Sequence, residues 1–241
     1  MTIDPSGPAD TRSMTIAHSA MRRTLVRARV VLGTPETLTP QRRRAVGFEL
    51  QWLVGFILHH HAGEDREIYP HLPVEDPSAR DLIRRMGEEH HAIHPPMEAL
   101  TEVAARFADG QAPAPEVLTA ITAFEVPLLP HLAREEREAM PLVSRSVTQA
   151  QWHQMELRAW VDDLGPAQRA AYGLWLVDSQ TPEDTAIIMA NVSKVQEVAL
   201  KAVFGGTYRR RRRRAWGGTA ADAVPALSIE QQAAWPTLVS P

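Results

Sequence analysis

The chain has 241 residues, of which 44% are hydrophobic and 23% charged, enough for one sizeable core with extensions of ordinary globular composition. It has no cysteine, which excludes disulfides, thiolate zinc sites, iron–sulfur clusters and covalent c-type haem, so any metal must be held by nitrogen and oxygen. The net charge of −3 is uneven: six arginines against Asp222 and Glu230 put +4 on residues 205–241 and leave −7 on the rest, an acidic body with a basic tail.

Met1 to Ser13 lacks a basic stretch followed by an apolar run, and the longest apolar run, Trp52 to Leu58, is far too short to cross a bilayer. A cytoplasmic protein is expected. Residues 1–13 read as a disordered leader. A first helix is predicted from Ser13 to Leu32, closed by Gly33 with Pro35 beyond. Thr39-Pro40 supplies a cap and a first-turn proline for a second, continuing to Tyr69. Asp76-Pro77 repeats that signal for a third, reaching Ala108, and a Gly/Pro loop precedes a fourth from Glu116 to Met140. Such short connections suit antiparallel neighbours, so the fold class is all-α: an up-down four-helix bundle over 14–143. A C-terminal helical extension over 144–204 is predicted as segments Thr148–Leu164, Pro166–Val177 and Pro182–Phe204. From 205 the chain reads as an Arg-rich flexible tail.

The segment from His60 to Pro70 returns 71 residues later, from His131 to Pro141, both reading H-x-A-x-E-[DE]-R-E-x-x-P. A histidine followed four residues on by glutamate puts both side chains on one helix face. These pairs sit on apolar stripes. Val46, Leu50, Leu53 and Ile57 lead to His60 and Glu64; Val117, Ile121, Phe124 and Leu128 lead to His131 and Glu135. The first helix carries His18 on its stripe, and the third is read as Ile83, Met86, His90, His94 and Met97.

Each buried polar group without a partner costs about 1–3 kcal/mol, and an unpaired charge far more. Five histidines and two carboxylates on core-facing stripes therefore point to a metal centre. In an up-down bundle, His18, His60, His90 and His131 lie roughly 8–20 Å from the same end, a tilted layer.

These residues resemble the hemerythrin-like, or HHE cation-binding, domains over about residues 14–143. The likeness rests on the helix-one histidine, the two H-x-x-x-E pairs, Glu89-His90 on helix three and the proline ten residues past each of His60 and His131. It implies an antiparallel four-helix bundle holding two irons. Carried over, His18, His60, His90, His94 and His131 would be nitrogen ligands, with Glu64 and a carboxylate after His131 as bridges. Glu135 keeps the four-residue spacing and is favoured over Glu136, which would give the five-residue spacing that invertebrate oxygen carriers resemble. Five imidazoles, two bridging carboxylates and an oxo or hydroxo bridge then leave one iron position open to O2, NO or peroxide. Many HHE-type domains lack the second helix-three histidine. Pro95-Pro96 beside His94, and Pro127 and Pro130 before His131, should kink their helices.

Of the other histidines, His59, His61, His71 and His91 fall off the stripes or at a helix end and read as solvated or supporting groups. Tyr69 is expected to pack at a helix end, and Asp65 to support a ligand or face solvent. The expected function is a non-haem di-iron protein that binds or senses a small oxidant. One alternative is an enzyme on the same centre, such as a catalase-like peroxide disproportionator. Another is an iron-dependent regulator using Arg209 to Arg214 to meet nucleic acid or another anionic partner. A ferritin-like site needs Glu-x-x-His on two helices, and zinc usually takes four ligands; both fit the residues less well.

Overall fold

The computed structural model of the chain describes residues 4–73, 77–190, 192 and 194–232. The bundle consists of α1 (Arg12–Leu32), α2 (Pro40–Gly63), α3 (Pro77–Ala108) and α4 (Ala114–Arg134). The extension comprises α5 (Met140–Ser146), α6 (Gln149–Trp160), α7 (Pro166–Leu176), α8 (Pro182–Met189) and α9 (Lys194–Ala215). No strand forms among the described residues; a single antiparallel bridge joins Pro8 and Thr148.

The helices begin where side chains can satisfy their first amides. Thr39 Oγ1 accepts from the Arg42 amide at the head of α2, with Pro40 in the first turn. Thr148 and Gln151 form a reciprocal capping box on α6, and Thr181 caps α8. The expected cap at Asp76 lies outside the described residues.

Each bundle helix packs on its sequence neighbours, and α1 against α4 closes the ring. Leu25, Leu50, Leu53, Ile57, Leu100, Phe107, Ile121, Phe124 and Leu128 are fully buried inside it. Helices α2 and α3 approach closely at Gly47, where a Cβ would stand 2.6 Å from the Ala104 carbonyl oxygen. Pro95, Pro96, Pro127 and Pro130 lie inside α3 and α4 without interrupting either helix.

Four expectations need correction. Helix α2 does not run evenly to Tyr69, nor α4 to Met140: each passes into a π turn, at Glu64–Ile68 and Glu135–Ala139. Both π turns end two residues before a proline of the repeat, Pro70 and Pro141. A proline removes an amide and crowds the carbonyl four residues back, and a widened turn relieves that crowding. The described part of the leader is not disordered: Ala9 is buried, and the Gly7 and Pro5 carbonyls accept from the Gln149 and Ala150 amides at the head of α6. The helix expected over Pro182–Phe204 is two, α8 and α9. The tail is likewise ordered through 232. Its arginines lie on α9, and beyond it Trp216, Ala221, Val224 and Leu227 are buried in the main core. Small residues suggested flexibility there, but spaced apolar ones give the segment something to bury.

The extension docks on α1 through arginines. Arg22, Arg23 and Arg27 are buried, and Arg23 donates to the Trp175 and Asp178 carbonyls at the end of α7. Burial, with Arg27 alongside, lowers the Arg23 guanidinium to about 10. Arg27 donates to Asp178 Oδ2 at 2.5 Å, and Arg212 to the same oxygen at 3.2 Å. Arg211 of α9 grips Glu49 of α2 with two bonds of 2.7 and 2.6 Å and lies 4.1 Å over the Trp52 ring.

Candidate metal centre

Two groups of potential ligands lie where α2 and α4 enter their π turns. One is His61, Glu64, His90 and His131; the other is His18, His60, Glu64 and Glu135. Within each, one donor atom per residue lies within 4.8 Å of all the others, and every member is buried. Glu64 belongs to both groups, the arrangement a carboxylate bridging two ions requires.

The repeat builds this pocket twice. In the first copy, consecutive acids clasp an imidazole of α3 from its two nitrogens: Glu64 Oε2 lies 3.4 Å from His90 Nε2, and His90 Nδ1 donates to Asp65 Oδ1 at 3.0 Å. In the second, Glu135 and Glu136 do the same to α1, at 3.2 Å from His18 Nε2 and 2.9 Å from His18 Nδ1. His131 Nδ1 donates to Glu89 Oε2 at 3.2 Å, and Glu89 is itself held by Arg134. Glu136 is backed by Arg22 at 2.7 Å. The outer nitrogens of three imidazoles are thus committed to carboxylates, which fixes their tautomers and turns the other nitrogens inward.

His18 Nε2 and His60 Nε2 face each other at 3.4 Å, and most of the other inward atoms are left without hydrogen bonds. Both nitrogens of His61, Nε2 of His90 and His131, both oxygens of Glu64 and Oε2 of Glu135 are buried and lack a partner of hydrogen-bond geometry. Glu64 Oε1 lies 2.8 Å from His60 Nε2, in contact but not aligned as a hydrogen bond. Buried native polar groups are almost always partnered, so this convergence of orphaned donors fits a nitrogen- and oxygen-ligated cation.

The electrostatics agree. Burial alone raises a carboxyl, but charge attraction and contacts from His60 and His90 outweigh it and hold Glu64 well below the usual carboxylate range. Burial, reinforced by His90, keeps His61 neutral, with its pKa far below that of free imidazole. Burial opposes protonation of His18 and His90, yet their clasping acids prevail and lift them to about 9 and about 10. Metal binding at those imidazoles would therefore release protons.

The structure brings together six of the seven residues expected at the site, His18, His60, Glu64, His90, His131 and Glu135. It does not bring His94, which is exposed beside His91 with ring centroids 6.4 Å apart. The buried stripe of α3 runs His90, Ile93, Met97 and Leu100, so the core-facing place one turn past His90 belongs to Ile93. His61 takes part instead. It stacks on His90 with centroids 4.1 Å apart and is 2% exposed. A signal for it was present in the repeat: the matching position is Leu132, an apolar residue that is fully buried.

Tyr69 does more than pack at a helix end, since its hydroxyl donates to Glu135 Oε1 at 3.0 Å. Burial, with Glu135 and Glu64 nearby, pushes its pKa well above the ordinary tyrosine value, so it remains a donor. His60 lies between the rings of Phe56 and Trp160, at 5.8 and 5.3 Å, and Trp160 Nε1 donates to the His60 carbonyl at 3.0 Å.

No curated protein and no solved structure shows a significant match to this chain. The model of one family, the hemerythrin HHE cation-binding domain, matches residues 9–143. That span exceeds half the chain and contains every residue of both ligand groups, so the protein belongs to the hemerythrin HHE cation-binding family.

Proposed function

We propose that the protein is a non-haem di-iron protein that binds or senses O2, NO or a related small oxidant. One observation carries this reading: two four-residue groups share Glu64, and seven of their buried nitrogens and oxygens, on His61, Glu64, His90, His131 and Glu135, have no hydrogen-bond partner. His61, His90 and His131 would hold one ion and His18, His60 and Glu135 the other, with Glu64 on both. Three imidazoles would face one ion and two the other, so the two positions would be chemically inequivalent. Five imidazoles and two carboxylates suit six-coordinate iron better than four-coordinate zinc. Iron bound there supplies reversible one-electron changes at each ion.

The chain's own residues do the rest. Asp65, Glu89 and Glu136 orient the imidazoles. Tyr69 holds a proton on its hydroxyl against Glu135 and limits how that carboxylate can turn. Phe56, Ile57 and Leu128 exclude water from the bundle side, and Trp160 of α6 covers the other face of His60. A cytoplasmic location is part of this proposal; among the described residues no helix is long and apolar enough to cross a membrane.

Metal analysis combined with optical spectra under air and under its exclusion tests the reading. The expected result is two irons per chain and a spectrum that changes reversibly with O2 or NO. A single zinc, or no metal after expression in iron-replete cells, would overturn it. Sustained O2 evolution from peroxide, abolished by His60→Ala, would instead make the centre that of an enzyme.

A further inference from the structure

Arginines in this protein are sorted by place. Through the bundle and its docking face they meet carboxylates, as Arg22 meets Glu136, Arg27 meets Asp178 and Arg211 meets Glu49. Another set, which meets no carboxylate among the described residues, gathers at the end of the molecule where α2 begins. Arg42 gives its guanidinium to the Thr37 and Gly217 carbonyls at 3.1 and 2.6 Å, and Arg43 and Arg44 follow it. Arg209, Arg210, Arg213 and Arg214 are exposed on α9 beside them. A cleft of 210 Å³ is lined by Arg42, Arg213 and Arg214, and another of 560 Å³ by Arg43 and Arg44 with Asp109.

The exposed face of α9 is not only basic. At about 100° per residue, Val203, Arg210 and Arg214 form one row, and Val198, Ala202, Arg209 and Arg213 form the next. Val198 and Val203 are both 66% exposed, among the most exposed large apolar residues described. The opposite face carries Phe204, Tyr208, Arg211, Arg212 and Ala215 toward α2 and α7. One outward strip therefore joins bare valines to unpaired arginines.

A nucleic-acid strand has use for the arginines but none for the valines. An apolar protein groove has use for the valines but would strand the guanidiniums. An anionic phospholipid surface takes both, with arginines on its phosphates and valines at the acyl boundary. We propose that the outward face of α9, with the first turn of α2, docks on an anionic phospholipid surface. Pro40, in the first turn of α2, lies 20 residues before His60, about 30 Å along the helix. The inference is independent of what the histidines hold.

The test is sedimentation of the full chain with vesicles of phosphatidylcholine alone, or mixed with an equal part of phosphatidylserine. Binding is expected only to the mixed vesicles, and is expected to fall as salt rises from about 0.1 M to about 1 M, where the Debye length shrinks from about 10 to about 3 Å. An arginine at such a surface is worth roughly fivefold in affinity, so the charge-reversing pair Arg210→Glu and Arg214→Glu should weaken binding at least tenfold. Val203→Asp should weaken it as well. These side chains are exposed, so unchanged circular dichroism is expected of each variant, and the salt series on the unaltered protein stands if one fails to fold. Equal binding to both vesicles would overturn the proposal. So would tighter binding to oligodeoxythymidine that Val203→Asp leaves intact, or self-association without any partition to vesicles.

Discussion

Position 61 is one place where the two halves of the repeat differ in chemistry. His61 and Leu132 are equally buried, but only the histidine carries polar atoms, and both of its nitrogens lack partners. An orphaned buried polar group costs about 1–3 kcal/mol. His61→Leu is therefore expected to give metal-free protein at least as stable as the parent in urea, yet to reduce bound metal. Unchanged metal content would remove His61 from the ligand set. His94→Ala, at an exposed site, should leave metal content intact and stability within about 0.5 kcal/mol. Glu136→Gln and Asp65→Asn loosen the grip on His18 and His90, and each should cost about 10–100-fold in metal affinity by chelator competition. The repeat made Glu64 and Glu135 legible, because stripe and spacing coincide there. His94 was preferred because a helical stripe permits a step of three or four residues, and only packing shows that Ile93 takes the place. His61 lies off the single apolar stripe of α2, and it is buried because the end of that helix is covered on more than one side.

At the scale of elements, helix starts were legible from Thr39-Pro40 and Thr148, since capping chemistry is local. The π turns were not: each ends two residues before a proline, but the prolines inside α3 and α4 open no such turn, so proline position alone does not mark them. Nor was the fit of α6 against the end of α2, which rests on a single glycine. A Cβ on Gly63 would stand 2.5 Å from Trp160 Nε1 and 2.7 Å from the Ala159 carbonyl oxygen. Gly63→Ala should therefore push α6 off His60 and destabilise by about 1–3 kcal/mol. Gly55, exposed in the same helix with nothing near its Cβ position, is the control: Gly55→Ala should stabilise by about 1 kcal/mol in urea unfolding. Equal effects at the two glycines would show that helix propensity, not packing, decides both. The docking of the extension turns on Asp178. Burial raises its carboxyl, but Arg27 and Arg23 overcome this and hold it below the ordinary value of 3.8. A carboxylate lowered by folding stabilises fully above its unfolded pKa, and that contribution is lost as pH falls through the folded value. Asp178→Asn should thus cost about 3–5 kcal/mol near neutrality by stranding buried guanidiniums, and the difference from the parent should shrink in acid below about pH 4. A constant difference across that range would assign the loss to packing.

For the whole molecule, the features that raise folding cost are concentrated in one layer. Seven buried imidazoles and carboxylates interrupt the core between the apolar bundle below and the small cluster of Met14, Ile68, Tyr69, Met86, Met140 and Trp152 above. Without a ligand this layer withdraws polar groups from water and returns too few hydrogen bonds, so the folded state is held down at the place where its two apolar clusters meet. A cation bound only by the folded chain offsets that cost by mass action, by about 4 kcal/mol when free metal exceeds its dissociation constant a thousandfold. For a chain of this size each kcal/mol moves the melting temperature by about 2–4 °C. Verified metal removal should consequently lower Tm by about 10 °C, and re-addition should restore it. His61→Leu should narrow that gap from both sides, since the variant loses a ligand and also the burial cost that the metal offsets. If the metal-free and metal-loaded proteins melt together, the orphaned atoms must find their partners in water. The layer would then be a hydrated polar core rather than a centre built around ions.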